Sequence, residues 1–142
     1  MFNQAPPIAR LSHRILTDVE NAVRRFPRFH KYSIGADLRA FSMQVARCIH
    51  KAWRDPDHRL ARVSELCSAV DDLKISMQLG KAVKAFGSFA EFEALAKLVS
   101  ELGQQSGGWL KRLQSKGQNA AAREPSQSAQ ILSTRAAHEA RI

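Results

Sequence analysis

The stretch YSIGADLRAFSMQVARCIHKAWR, Tyr32 to Arg54, decides the fold. At about 100° per residue, Leu38, Phe41, Val45, Cys48, Ile49, Ala52 and Trp53 fall within an arc of about 140°, and Arg39, Arg47, Lys51 and Arg54 within a separate arc of about 120°. One side of this helix is core and the other is cationic. The apolar arc has the width of a helix docked on a globular partner. The opposite line spaces guanidinium and ammonium groups as a polyanion's phosphates require, although a basic stripe opposite a core is also what a plain solvated face looks like.

Outward from this helix, Pro6 and Pro7 preset a first turn, and Ile8, Leu11, Ile15, Val19 and Ala22 recur at steps of three and four. A first helix is therefore predicted from about Pro7 to Arg25, ended by Pro27. The connector FPRFHKYS mixes Arg28, His30 and Lys31 with Phe26, Phe29 and Tyr32. It is either a surface that stacks on bases and pairs with phosphates or a loop whose rings plug the end of a bundle. Ser33 is the expected N-cap of the second helix, and Gly35 in its first turn admits a close backbone approach. Asp55-Pro56 closes that helix and opens a third.

The third helix is expected to run for nearly thirty residues to a stop at Gly87. Its inner stripe is Leu60, Val63, Leu66, Cys67, Val70, Leu73 and Met77. Its second half adds Ile75, Leu79, Ala82, Val83 and Phe86 on another side, and two apolar faces call for two partners. Ile75, Leu79, Val83 and Phe86 are accordingly the candidate oligomer interface. Ser88-Phe89-Ala90-Glu91 has the form of a capping box, and a fourth helix follows with Phe92, Leu95, Leu98, Val99, Leu102, Trp109, Leu110 and Leu113 on one stripe. Gly107-Gly108 lies inside it, where each glycine costs about 1 kcal/mol relative to alanine, so a tight helix crossing is expected there. Beyond Gln114 the composition turns to Ser, Gln, Ala, Gly and Asn, the signature of a disordered tail. A short helix near 131–142 is left open.

Four helices with short connectors predict an all-α, antiparallel up-and-down four-helix bundle over 1–114, followed by a basic, polar tail over 115–142. The formal charge is +9 and the isoelectric point is near 10.3. The charge is uneven: residues 1–54 carry net +7, 55–114 net 0 and 115–142 net +2. An acidic partner such as nucleic acid follows, bound through the first helix, the connector and the second helix. The candidate nucleic-acid-binding residues are Arg24, Arg25, Arg28, Lys31, Arg39, Arg47, Lys51 and Arg54, with His50 inside the same stripe. Structured RNA or an RNA–DNA hybrid, bound without reading sequence, is the expected ligand.

Catalytic patterns are weak. Asp71 and Asp72 are adjacent and point about 100° apart on a helix, so they form no carboxylate pair. The five histidines make no HExxH or other ligand pairing, and there is no Walker loop and no GxSxG. No catalytic, cofactor or metal residue is expected. Cys48 and Cys67 sit in apolar stripes and read as reduced core residues. No apolar run reaches the ~18 residues of a membrane span, so a cytoplasmic, non-membrane protein is the expectation.

Three patterns together resemble one family. FPRFHKYSIGADLR (Phe26–Arg39) is similar to the connector between the first two helices of the bacterial four-helix-bundle family that includes proteins encoded within rRNA intervening sequences and the accessory variability determinant, Avd, of diversity-generating retroelements. The run from Glu101 to Leu113, with Gly107-Gly108-Trp109-Leu110-Lys111, resembles the family's final helix, and the long third helix with its capped turn is the third likeness. The resemblance spans about Ile8 to Leu113. Phe26, Pro27, Tyr32, Gly35 and Leu38 match the connector and Gly107, Gly108, Trp109 and Lys111 the last helix, all of them fold positions. Lys116-Gly117-Gln118 is also similar to Avd tails. The resemblance implies a non-enzymatic bundle assembling as a pentameric barrel and, in the retroelement branch, associated with a reverse transcriptase and template RNA in mutagenic cDNA synthesis. The other class is a structural scaffold of the rRNA intervening-sequence type, whose basic surface meets an acidic protein or rRNA.

Overall fold

The computed structural model describes residues 5–123, with side chains through Gly117. Four long helices account for most of it: α1 (Pro7–Arg24), α3 (Ile34–Arg54), α4 (Arg59–Ala82) and α5 (Phe89–Arg123), with a one-turn α2 (Arg28–Lys31) and a 3-10 turn (Pro56–His58) between them. No strand occurs among the described residues, and the fold is an all-helical bundle. None of these helices is long and apolar enough to cross a membrane.

The core gathers the expected stripes. Ile8, Ile15, Val19 and Ala22 of α1, Leu38, Val45, Cys48 and Ile49 of α3, Leu66, Val70, Leu73 and Met77 of α4, and Phe92, Leu95, Val99 and Leu102 of α5 are all buried in one cluster. Two residues expected inside stand out of it: Trp53 is 41% and Leu60 47% exposed. Both lie beside the Asp55-Pro56 corner, where the chain turns from one helix to the next. Asp55 accepts the His58 amide at 3.3 Å, so the N-cap forms there as expected, although it opens a 3-10 turn before α4. Arg59 reaches back to cap α3, donating to the carbonyls of Ala52 (2.9 Å) and Trp53 (3.0 Å).

Four local expectations are corrected. First, α4 stops at Ala82 and not at Gly87. The Ala85 amide donates to the Gly80 carbonyl (2.9 Å) and the Lys84 amide to the Lys81 carbonyl (3.0 Å), a Schellman closure whose left-handed position is held by Lys84 at φ 58°. Second, Ser33 flanks α3 without capping it, its hydroxyl turning back to the Phe29 and His30 carbonyls at 3.4 and 3.5 Å. Third, the capping box is half made: the Ser88 hydroxyl accepts the Glu91 amide at 3.1 Å, while the Glu91 carboxylate faces Arg25 at 3.2 Å. Fourth, α5 does not end at Gln114 but runs to Arg123, so the first residues of the expected tail are helical. The remainder of the tail, 124–142, with the helix left open near 131–142, lies outside the described residues.

The glycines divide by what faces them. A Cβ on Gly35 would lie 2.8 Å from Val23 Cγ1 and 3.1 Å from the His30 carbonyl oxygen, so this glycine lets α1 and α2 close onto the start of α3. In α5 the tight position is Gly103, where a Cβ would meet Lys74 Nζ at 2.5 Å. Nothing lies within 4 Å of the corresponding point on Gly107. The crossing expected at the glycine pair is therefore absent at Gly107, and at Gly103, one turn earlier, what a Cβ would meet is the flexible end of the Lys74 side chain.

Candidate nucleic-acid interface

The cations of the first half are set out by three short pieces of local structure. Arg24 ends α1 and Arg25 is its C-cap. Arg28 and Lys31 lie on α2, which forms because Pro27 accepts the amides of His30 (2.8 Å) and Lys31 (3.2 Å). Arg47, Lys51 and Arg54 follow at steps of four and three along α3, so they share one helix face. Arg24, Arg28, Arg47, Lys51 and Arg54 are exposed and Lys31 is half-buried.

Two of the eight candidates are already engaged. Arg39 Nε donates to Glu20 Oε1 at 2.7 Å, tying α3 to α1. Arg25 Nη2 stands 3.2 Å from Glu91 Oε1, tying the end of α1 to α5. That oxygen is buried without an aligned hydrogen bond, so the contact is an ion pair by distance only. For the other six, no carboxylate lies in ion-pair range among the described residues. They are the electrostatic footprint that a polyanion would meet.

His50 is held against α1. Its Nε2 lies 3.0 Å from His13 Nε2, with the ring centroids 5.2 Å apart and the planes within 19°. The centroid separation is close to the nitrogen gap plus one ring radius from each side, so the two rings point at one another, one N–H donating to the other ring's lone pair. Burial first, then the proximity of His13 and Arg54, lowers the pKa of His50 below 6.5. Near neutral pH it therefore adds no charge to the stripe.

The connector's aromatics separate cleanly. Phe26 is buried and packs edge-on against Phe86 (centroids 5.1 Å, planes 78° apart), which in turn meets Phe92 (5.3 Å, 68°). Phe29 and Tyr32 are 85% and 80% exposed. The plug reading holds for Phe26 alone. The same cluster corrects the candidate oligomer interface: Phe86 is turned inward against Gly80, where a Cβ would lie 3.0 Å from its ring. Ile75 and Leu79 of α4, with Val83 at its C-cap, do form an exposed line, 58%, 50% and 43% accessible.

Sequence reasoning placed the cations but omitted Arg10 and Arg14, which stand exposed on α1 on either side of His13. Their spacing of four was a signal available in the sequence. Cys48 and Cys67 are free thiols whose pKa values burial raises, so both are protonated near neutral pH. Among the described residues no three His, Cys, Asp or Glu side chains gather as a metal site. Compared with known proteins, the chain matches no family model and no curated protein.

Proposed function

We propose that this chain is a non-enzymatic, cytoplasmic accessory protein of a diversity-generating retroelement. It acts as a basic homo-oligomer, a pentameric ring of antiparallel bundles, that holds RNA or an RNA–DNA hybrid together with a reverse transcriptase during mutagenic cDNA synthesis. The observation that carries the nucleic-acid part is the run of exposed or half-buried cations from Arg24 through α2 and down one face of α3, with carboxylates of the described residues in reach of Arg25 and Arg39 alone. Alternation of helix direction is supported by the contacts between α1 and α3. His13 meets His50 and Glu20 meets Arg39, so position rises along one helix as it falls along the other. Self-association is supported by Ile75, Leu79 and Val83, an apolar line that a monomer leaves in water. The retroelement and its polymerase rest on the resemblance in the connector and final helix.

The experiment is the salt dependence of binding to an RNA hairpin. Replacing Arg47 and Lys51 by Glu should weaken binding to every sequence alike and lower the slope of log K against log salt by roughly 0.7–0.9 for each phosphate no longer neutralised. Both side chains are exposed, so the helical signal should persist. An unchanged slope with folding intact removes α3 from the surface and favours a scaffold that binds an acidic protein.

A further inference from the structure

We infer that the connector is a stacking platform for unpaired nucleotides, so that the part of an RNA or hybrid this protein grips there is single-stranded and not duplex. The inference rests on the nucleic-acid reading above and names the substrate class of that surface. Phe29 and Tyr32 are the two most exposed large apolar side chains among the described residues, at 85% and 80%. They are three positions apart on a single helical turn, with Tyr32 still in the right-handed helical region (φ −93°, ψ −3°), so both rings rise from one side about 5–6 Å apart at Cβ. That is a separation consecutive splayed bases can bridge.

Their surroundings decide the partner. Arg24, Arg25, Arg28, His30 and Lys31 lie within eight residues, and no Asp or Glu occurs between Glu20 and Asp37. A ring anchoring a protein partner is expected within an apolar patch. Here Phe29 and Tyr32 lie in a stretch of chain with Arg24, Arg28 and Lys31 and no carboxylate, the combination that pairs phosphates with stacked bases on single strands. A duplex offers phosphates but keeps its base faces covered, so it can use the cations and not the rings. The platform is also rigidly held. A Cβ on Gly35 would lie 3.1 Å from the His30 carbonyl oxygen, so α3 packs closely on α2 there, and buried Phe26 anchors the connector from the other side.

The test compares the full-length wild type with Phe29→Ala/Tyr32→Ala, and with Phe29→Tyr/Tyr32→Phe, which keeps both rings. The probes are an unstructured 2-aminopurine-labelled RNA of about 20 nucleotides and a blunt RNA duplex of equal length, chosen to exceed the few nucleotides such platforms cover. Removing both rings should weaken single-strand binding by at least roughly thirtyfold and abolish the quenching that stacking causes. Duplex affinity, both salt slopes and the thermal midpoint should stay unchanged, and the ring-keeping variant should behave as wild type. An unchanged single-strand affinity, or an equal weakening on the duplex, overturns the platform. Absence of salt-dependent binding of either RNA by the wild type overturns the nucleic-acid reading and the platform with it. Ring-dependent capture of polyglutamate without ring-dependent RNA binding also overturns it, in favour of an acidic protein partner.

Discussion

Replacing each of two glycines by alanine should shift stability in opposite directions. At Gly107 nothing lies within 4 Å of an added Cβ, so only helix propensity changes, and Gly107→Ala should stabilise by about 1 kcal/mol. At Gly35 the same methyl would stand 2.8 Å from Val23 Cγ1 and 3.1 Å from the His30 carbonyl. Val23 is buried and, being β-branched within a helix, has little rotamer freedom with which to yield. The carbonyl belongs to the α2 backbone, which moves only with the whole turn. Overpacking of this kind costs about 1–3 kcal/mol, and the propensity gain offsets at most about 1 kcal/mol of it. Gly35→Ala should therefore lose up to about 2 kcal/mol, which puts the two variants about 1–3 kcal/mol apart. Urea unfolding followed by circular dichroism, at one protein concentration because association adds to apparent stability, gives the midpoints at constant m. Midpoints that move in the same direction, or a stabilised Gly35→Ala, would refute the reasoning that space and not residue type sets the sign.

Lys84→Gly should raise the urea midpoint, since a side chain at φ 58° costs roughly 1–2 kcal/mol and glycine gives back up to about 1 through its looser unfolded chain; a lower midpoint would contradict the closure described at Ala82. Leu79→Glu should convert an oligomer to a species of 15.8 kDa by light scattering, and a wild-type protein already at that mass would remove α4 as an interface. His50 should make stability depend on pH. Its folded pKa lies below the ordinary 6.5, so near and below that value the unfolded chain binds more protons than the folded one and stability falls on acidification. Comparing urea midpoints at about pH 7.5 and 5.5 tests this, with His50→Gln expected to flatten the difference.

The helices were legible because their stripes repeat at steps of three and four, and because prolines mark the corners. The end of α4 was not. Gly87 is the residue type that favours a helix stop, yet the stop is made by hydrogen bonds to Gly80 and Lys81 with a lysine in the left-handed position, which residue type does not advertise. Gly35 and Gly107 look alike in sequence, since only the packed partner says whether a Cβ has room. In the candidate interface the exposure of Arg47, Lys51 and Arg54 followed from their place opposite Val45, Ile49 and Ala52. The engagement of Arg39 by Glu20 and of Arg25 by Glu91 joins residues 19 and 66 positions apart. No local pattern carries such a pairing. Phe26, Phe29 and Tyr32 likewise read as one aromatic group until the turn of α2 sends them to opposite environments.

Two serines buried in this bundle ask nothing of their neighbours. Ser12 donates to the Ala9 carbonyl (2.7 Å) and Ser42 to the Arg39 carbonyl (3.0 Å), each within its own helix. A hydroxyl satisfied in this way needs no matching group across the interface, and alanine can replace it without leaving an orphaned partner behind. At these positions the contacts between helices carry shape but no polar code. A lineage can then exchange such residues one at a time, with no compensating change elsewhere, so the bundle's outline can persist while the letters that spell it drift.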